Sequence, residues 1–278
     1  MSTRFNVKSV TISYDGGITS TARLQKSKDQ PEPVEPPSAG LITQDGWFGE
    51  TWYKLEVPTD PSATLDATVL DSYASVTPES SVEGLAYDGT DLWVSDNNGV
   101  YNGNRSLLRV TPSTLAVTRA TSPPIEAALR DLAVDGDYLR VINSTRIYRY
   151  DIDSDTFVDY ITDPTGASTT MNCIELREGM IWLVQREPGG FSTPWRMWQL
   201  NATTGAFISS KTITDLPTSE IVWGLQYLDG YWWMGSLSNP FLYKYDWDSN
   251  SVVQRLYLDT IHEDIIPWPV AYVPEGVM

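Results

Sequence analysis

The sequence predicts an all-β fold: a five-bladed β-propeller preceded by a β-hairpin arm. Three observations carry this prediction. An apolar run ending in a polar turn and a glycine recurs five times, at Gly89, Gly136, Gly179, Gly230 and Gly276, with spacings of 47, 43, 51 and 46 residues. Each of the first four copies is followed by three more short β-rich runs, the blade signature of a propeller. The fifth copy stops after its first run, and runs matching its missing strands stand near the N-terminus.

In chain order, the arm comes first. Phe5, Val7, Val10, Ile12 and Tyr14 lead into Asp15-Gly16-Gly17, and a second β-rich run follows over 18–24. Two such runs about a DGG turn predict a hairpin over residues 1–24. A lone hairpin is marginal in water. The five apolar residues are therefore expected to form an assembly arm that pairs with another copy of the chain, a partner protein or the body of the chain itself. Residues 25–40 carry Pro31, Pro33, Pro36 and Pro37 among polar side chains and predict an extended, semi-rigid linker. The propeller then occupies 41–278.

Within it, the first strands contain Gly84-Leu85-Ala86-Tyr87, Asp131-Leu132-Ala133-Val134, Cys173-Ile174-Glu175-Leu176 and Gly224-Leu225-Gln226-Tyr227. Second strands contain Leu92-Trp93-Val94, Tyr138-Leu139-Arg140-Val141, Ile181-Trp182-Leu183-Val184 and Tyr231-Trp232-Trp233-Met234. Third strands set a polar residue between apolar ones, as in Tyr148-Arg149-Tyr150 and Tyr243-Lys244-Tyr245. The fifth blade takes its first strand from Val270-Ala271-Tyr272-Val273. Its second comes from Leu41-Ile42-Thr43, its third from Trp52 to Val57 and its fourth from Thr64 to Leu70. That arrangement closes the ring and removes open sheet edges. It gives Trp52, Trp93, Trp182, Trp198, Trp232 and Trp233 a packing role between blades. This repeat pattern resembles five-bladed propellers of the NHL/WD-like type.

Residues 82–119 also resemble the first repeat of the plant-type glutaminyl cyclases, through Gly84-Leu85, Tyr87-Asp88-Gly89, Leu92, Ser95, Tyr101, Ser106-Leu107, Arg109-Val110 and Thr114. The resemblance spans one blade. It implies an acid in the second strand just before the Ser; this chain has Val94 there.

Candidate sites follow from the repeat. The residue two before each anchoring apolar residue starts an innermost strand: Glu83, Arg130, Asn172, Trp223 and Trp268. These five are expected to ring one mouth of the channel, where an indole with an acid, a base and an amide suits a sugar or a peptide end. Asp151-x-Asp153-x-Asp155 and Asp246-x-Asp248-x-Asn250 have calcium-like spacing, but lack the sixth-position Gly and twelfth-position Glu of an EF-hand. They fall at the same place in the repeat and read as Asx turns, so no metal is expected. His262 and Cys173 are the single histidine and cysteine, which leaves one conceivable nucleophile–base pair and no intrachain disulfide. The sequons at Asn104, Asn143 and Asn201 read as chance.

Composition sets the limits on function. The chain has 278 residues, with 19 Lys+Arg against 36 Asp+Glu and a net charge of −17. Residues 1–40 hold 5 basic and 4 acidic residues; the remainder hold 14 and 32. Phosphate contacts need clustered cations, so neither nucleic acid nor an anionic membrane is an expected partner. The N-terminus has no apolar h-region, which predicts synthesis in a cytoplasm without secretion. No cofactor and no catalytic residue is expected. The expected function is a non-enzymatic binding head that its arm tethers to a larger assembly, such as a bacteriophage virion. A glycan on the propeller is a further expected partner. The alternatives are a propeller enzyme, cyclase-like or glycosidase-like, and a lectin-like head.

Overall fold

Type I′ turns, with positive φ at both central residues, suit the twist of antiparallel strands. Glu178-Gly179 and Asp229-Gly230 adopt this pattern, with φ of 54° and 72°, and of 51° and 89°. Gly136, at +62°, opens its turn in the same sense. The recurring glycine is thus the hinge between a blade's first and second strands.

A computed structural model of the chain describes residues 6–14, 18–25, 40–44, 51–58, 64–74, 82–97, 105–122, 128–163, 170–187, 193–217, 219–258 and 270–274. The chain divides into two units, Met1–Pro36 and Pro37–Met278. The first contains β1 (Asn6–Tyr14) and β2 (Ile18–Gln25), paired antiparallel with Tyr14 opposite Ile18.

The second unit opens with β3 (Gly40–Gln44), β4 (Thr51–Leu55), β5 (Thr64–Asp66) and β6 (Val69–Ala74). Four complete blades follow. The first is β7 (Val82–Tyr87), β8 (Leu92–Asp96), β9 (Ser106–Thr111) and β10 (Ala116–Thr121). The second is β11 (Leu132–Asp135), β12 (Tyr138–Ile142), β13 (Arg146–Asp151) and β14 (Thr156–Thr162). The third is β15 (Met171–Arg177), β16 (Met180–Arg186), β17 (Trp195–Asn201) and β18 (Phe207–Ile213). The fourth is β19 (Val222–Leu228), β20 (Tyr231–Ser236), β21 (Phe241–Asp246) and β22 (Ser251–Tyr257). The last strand, β23 (Ala271–Val273), pairs with β3, giving a sheet of order β23-β3-β4-β6. The C-terminal strand therefore completes the blade begun near the N-terminus, and the ring has five blades.

One expected strand divides. Residues 64–70 do not run as a single fourth strand. Thr64–Asp66 leaves its own blade and pairs in parallel with the outer strand of the fourth, Leu65 opposite Leu256, while Val69–Ala74 finishes the fifth blade beside β4. Packing explains the split. Leu65, Ala67 and Val69 all contact the cluster of Leu242, Leu256, Leu258, Leu41 and Leu55, which a segment bridging the two blades reaches with every second residue.

Among the described residues the core consists of five apolar clusters, each built from two successive blades. Ala86, Trp93 and Leu107 meet Leu129, Leu139 and Tyr150 between the first and second blades. Trp182, Trp195 and Met197 meet Trp232, Met234 and Tyr245 between the third and fourth. Trp52 and Trp233 are fully buried in two other interfaces, and Trp198 packs partly buried against a third. A buried aromatic removes about 150–250 Å² from water, so this interface packing is the main source of ring stability.

Candidate functional site

The innermost strands β7, β11, β15, β19 and β23 line the channel. Three of the mouth residues gain their orientation from β-bulges. Val82 pairs with Asp96 and Gly84 with Ser95, so Glu83 is the extra residue. Asn172 is extra in the same way between Met171 and Cys173, and Trp223 lies in the irregular step between Val222 and Leu225. A bulge re-aims its side chain away from the regular alternation.

Two mouth residues meet across the axis. Arg130, from the second blade, lays its guanidinium over the indole of Trp223, from the fourth, with Cζ 4.5 Å from the ring centroid. Trp223 is 8% exposed and Glu83 4%. Glu83 Oε1 accepts a hydrogen bond from Asn97 Nδ2 at 3.3 Å. Asn172 Nδ2 donates to Val222 O at 3.1 Å. Burial lowers the pKa of Arg130, and the Glu83 carboxylate opposes that shift. Trp268, His262 and Phe5 lie outside the described residues, as do Gly276 and Asn104. Val7, Val10, Ile12 and Tyr14 lie on β1.

One position deeper stand Gly84, Asp131, Cys173 and Gly224. The buried Asp131 carboxylate accepts the N–H of Leu132 at 2.9 Å and of Ile174 at 3.0 Å, and that of Leu225 as well. It thus reaches the inner edges of the third and fourth blades and plugs the channel. Burial raises its pKa well above the usual carboxylate range; the three N–H bonds oppose this and the charge of Glu175 adds to it. Gly84 leaves the plug its room: a Cβ there would sit 2.7 Å from Asp131 Cα and 2.9 Å from Oδ1. Cys173 Sγ accepts the Gly224 N–H at 3.0 Å. Burial, and then the Asp131 charge, push its thiol pKa up, away from the thiolate that a nucleophile needs.

Two residues further along, Gln226 Oε1 accepts the Tyr272 N–H at 2.8 Å, tying the fourth blade to the fifth. Glu175 accepts the N–H of Leu176 at 2.9 Å, and burial pushes its pKa up to about 8. Ser95 Oγ adds a bond from the first blade to Arg130 O of the second, at 2.6 Å. Ser95, Asp131, Asn172 and Gln226 are thus staples between neighbouring blades.

Sequence reasoning missed Glu175 and Glu220. Glu220 is fully buried just before β19. Its carboxylate accepts from Ser236 Oγ, from Asn239 Nδ2 at 2.6 Å and from Tyr243 OH at 2.7 Å. Trp195 Nε1 donates to its backbone oxygen at 2.9 Å.

The calcium-like runs form turns. Asp151 Oδ1 accepts the Ser154 N–H at 2.8 Å, and Asp246 Oδ1 accepts that of Asp248 at 2.9 Å. Asp155 takes Thr121 Oγ1 at 2.6 Å, Tyr150 OH and Arg119. Among the described residues no group of three His, Cys, Asp or Glu is placed to hold a metal ion. Asn143 and Asn201, in two sequons, cap turns through their own Oδ1 atoms.

The comparisons with known proteins bear on the fold. No family model matches the chain, and no curated protein matches it. Solved structures do. One, of a nidogen/laminin complex, superposes with a TM-score of 0.58 at 12% identity over 84% of this chain and 98% of that one. A Bacteroides caccae protein of unknown function gives 0.52 at 12% identity, over 86% and 100%. Myxococcus xanthus glutaminyl cyclase gives 0.51 at 11%, over 66% and 72%. The chain is a five-bladed β-propeller. At these identities the likeness is one of fold alone. Val94, where the cyclase resemblance implies an acid, is buried between the fifth and first blades.

Proposed function

We propose that this propeller is a non-catalytic binding head, carried on a larger assembly by its N-terminal hairpin. The observation that carries the reading is the division of the chain: β1 and β2 belong to one unit, Met1–Pro36, and the ring's strands to a second, Pro37–Met278. A two-stranded hairpin is marginally stable unless it finds a partner surface. The contrast in charge between a near-neutral arm and an acidic ring suits two different partners. The non-catalytic half of the reading is supported by the channel, where Asp131, Cys173 and Gln226 are committed to backbone N–H groups. A virion is one such assembly, since its components are made in a cytoplasm and displayed outside it.

The test uses tagged full-length chain and a version lacking residues 1–40, produced in parallel in the source host. Full-length chain is expected to co-sediment with high-mass particles and the truncated chain to run at monomer mass. Equal co-sedimentation of the two overturns the tether.

A further inference from the structure

We propose that the Arg130 guanidinium, seated on Trp223 at the channel mouth, is a receptor for a carboxylate carried by a small ligand or a chain end. The inference concerns the ring alone and stands independently of the arm.

The pairing pattern of the other arginines makes Arg130 unusual. Arg109, Arg119, Arg140, Arg149, Arg177 and Arg196 each bridge to a carboxylate, and Arg146, Arg186 and Arg255, which also lie over aromatic rings, donate to a tyrosine hydroxyl or to backbone oxygens. In so acidic a ring an oxygen acceptor is the expected fate of a guanidinium. Arg130 is set against an indole face instead, and its buried Nε finds no acceptor among the described residues. A buried donor without an acceptor costs free energy that an incoming acceptor recovers. Stacking on Trp223 fixes the plane of the fork while leaving its N–H edge unspent, and a fixed planar fork matches a carboxylate through two parallel bonds.

The surroundings select within the anions. Glu83 lies close enough for its charge to act on Arg130. A doubly charged phosphate meets more repulsion from the Glu83 carboxylate than a singly charged carboxylate does. A sugar stacked on Trp223 is disfavoured for a separate reason. At 8% exposure the indole offers little free face, and Arg130 covers part of it.

The experiment titrates full-length protein by calorimetry with three probes: N-acetylglycine, its neutral isostere N-acetylglycinamide, and inorganic phosphate. N-acetylglycine is expected to bind at least tenfold more tightly than either of the others. R130Q should abolish that preference with an unchanged circular dichroism spectrum, and R130K should retain only a small part of it. Equal binding of the acid and the amide, tighter binding of phosphate, or an unaffected R130Q overturns the proposal. If the variants do not fold, wild-type protein labelled with 15N-arginine decides. Among its Nε–H resonances, the one assigned to Arg130 through sequential backbone connectivity must shift with N-acetylglycine and not with the amide. Its failure to move overturns the proposal equally.

Discussion

Replacing Glu175 by glutamine should flatten the fall in stability that the ring suffers as pH rises. Burial beside the channel holds this carboxyl at a pKa of about 8 against an ordinary 4.5, with the Leu176 N–H as a partial compensation. The folded state thus binds its proton more tightly than the unfolded chain does. Below about 4.5 both states are protonated and nothing is lost. Between 4.5 and about 8 the unfolded chain ionises while the folded one holds its proton, so stability declines through that window and levels off above it. At about 1.4 kcal/mol per pH unit, the ceiling on the loss is roughly 5 kcal/mol. Water at the channel end and local relaxation reduce this, and we expect about 1–3 kcal/mol. The assay is urea unfolding of wild type and E175Q at pH 5, 7 and 9, followed by circular dichroism. The two should be close at pH 5, with E175Q more stable at pH 9 by that amount. Asp131 titrates in both proteins and cancels to first order. A constant offset at all three pH values would refute the placement of Glu175 as a desolvated acid.

Two further substitutions probe the channel and the turns. Asp131→Ala deprives three backbone N–H groups of their acceptor and should cost about 3 kcal/mol or more in urea unfolding; Asp131→Asn keeps one acceptor oxygen and should cost less. A loss under about 1 kcal/mol for D131A would mean that water replaces the plug. Glu178→Asn puts the favoured Asn-Gly pair into a type I′ turn whose first residue has φ of 54°. It should add about 0.5–1 kcal/mol, less a few tenths for the exposed bridge to Arg177. A calorimetric Tm higher by about 1–3 °C is expected, and a lowered Tm would contradict the turn assignment.

The ring was legible because its punctuation repeats. A turn glycine, an apolar anchor before it and an x-polar-x third strand recur often enough to locate even the divided fifth blade, through Tyr53-Lys54-Leu55. The split at Ala67-Thr68 was not legible, since neither residue breaks a strand and the cause lies in the leucines of another blade. At the mouth, repeat register supplied the positions of Glu83, Arg130, Asn172 and Trp223, but not who meets whom. Which side chain crosses the axis depends on three bulges and on the space left by Gly84. Glu175 was hidden because it shares a register with Ala86, Ala133 and Ala271 and so read as packing. Glu220 was hidden because an acid after Thr-Ser reads as loop; its burial follows from Ser236, Asn239 and Tyr243, all later in the chain.

The fifth blade also decides how the ring carries a load. On the proposed tether a pull would enter the second unit at β3, which lies between β23 and β4. Such a strand cannot be peeled from an edge, because two ladders must break together. Downstream, β5 clips the same segment to the outer strand of the fourth blade. Under the proposed tethering, tension would be shared between the C-terminal strand β23 and a neighbouring blade, as a strap is held by a buckle and a second loop.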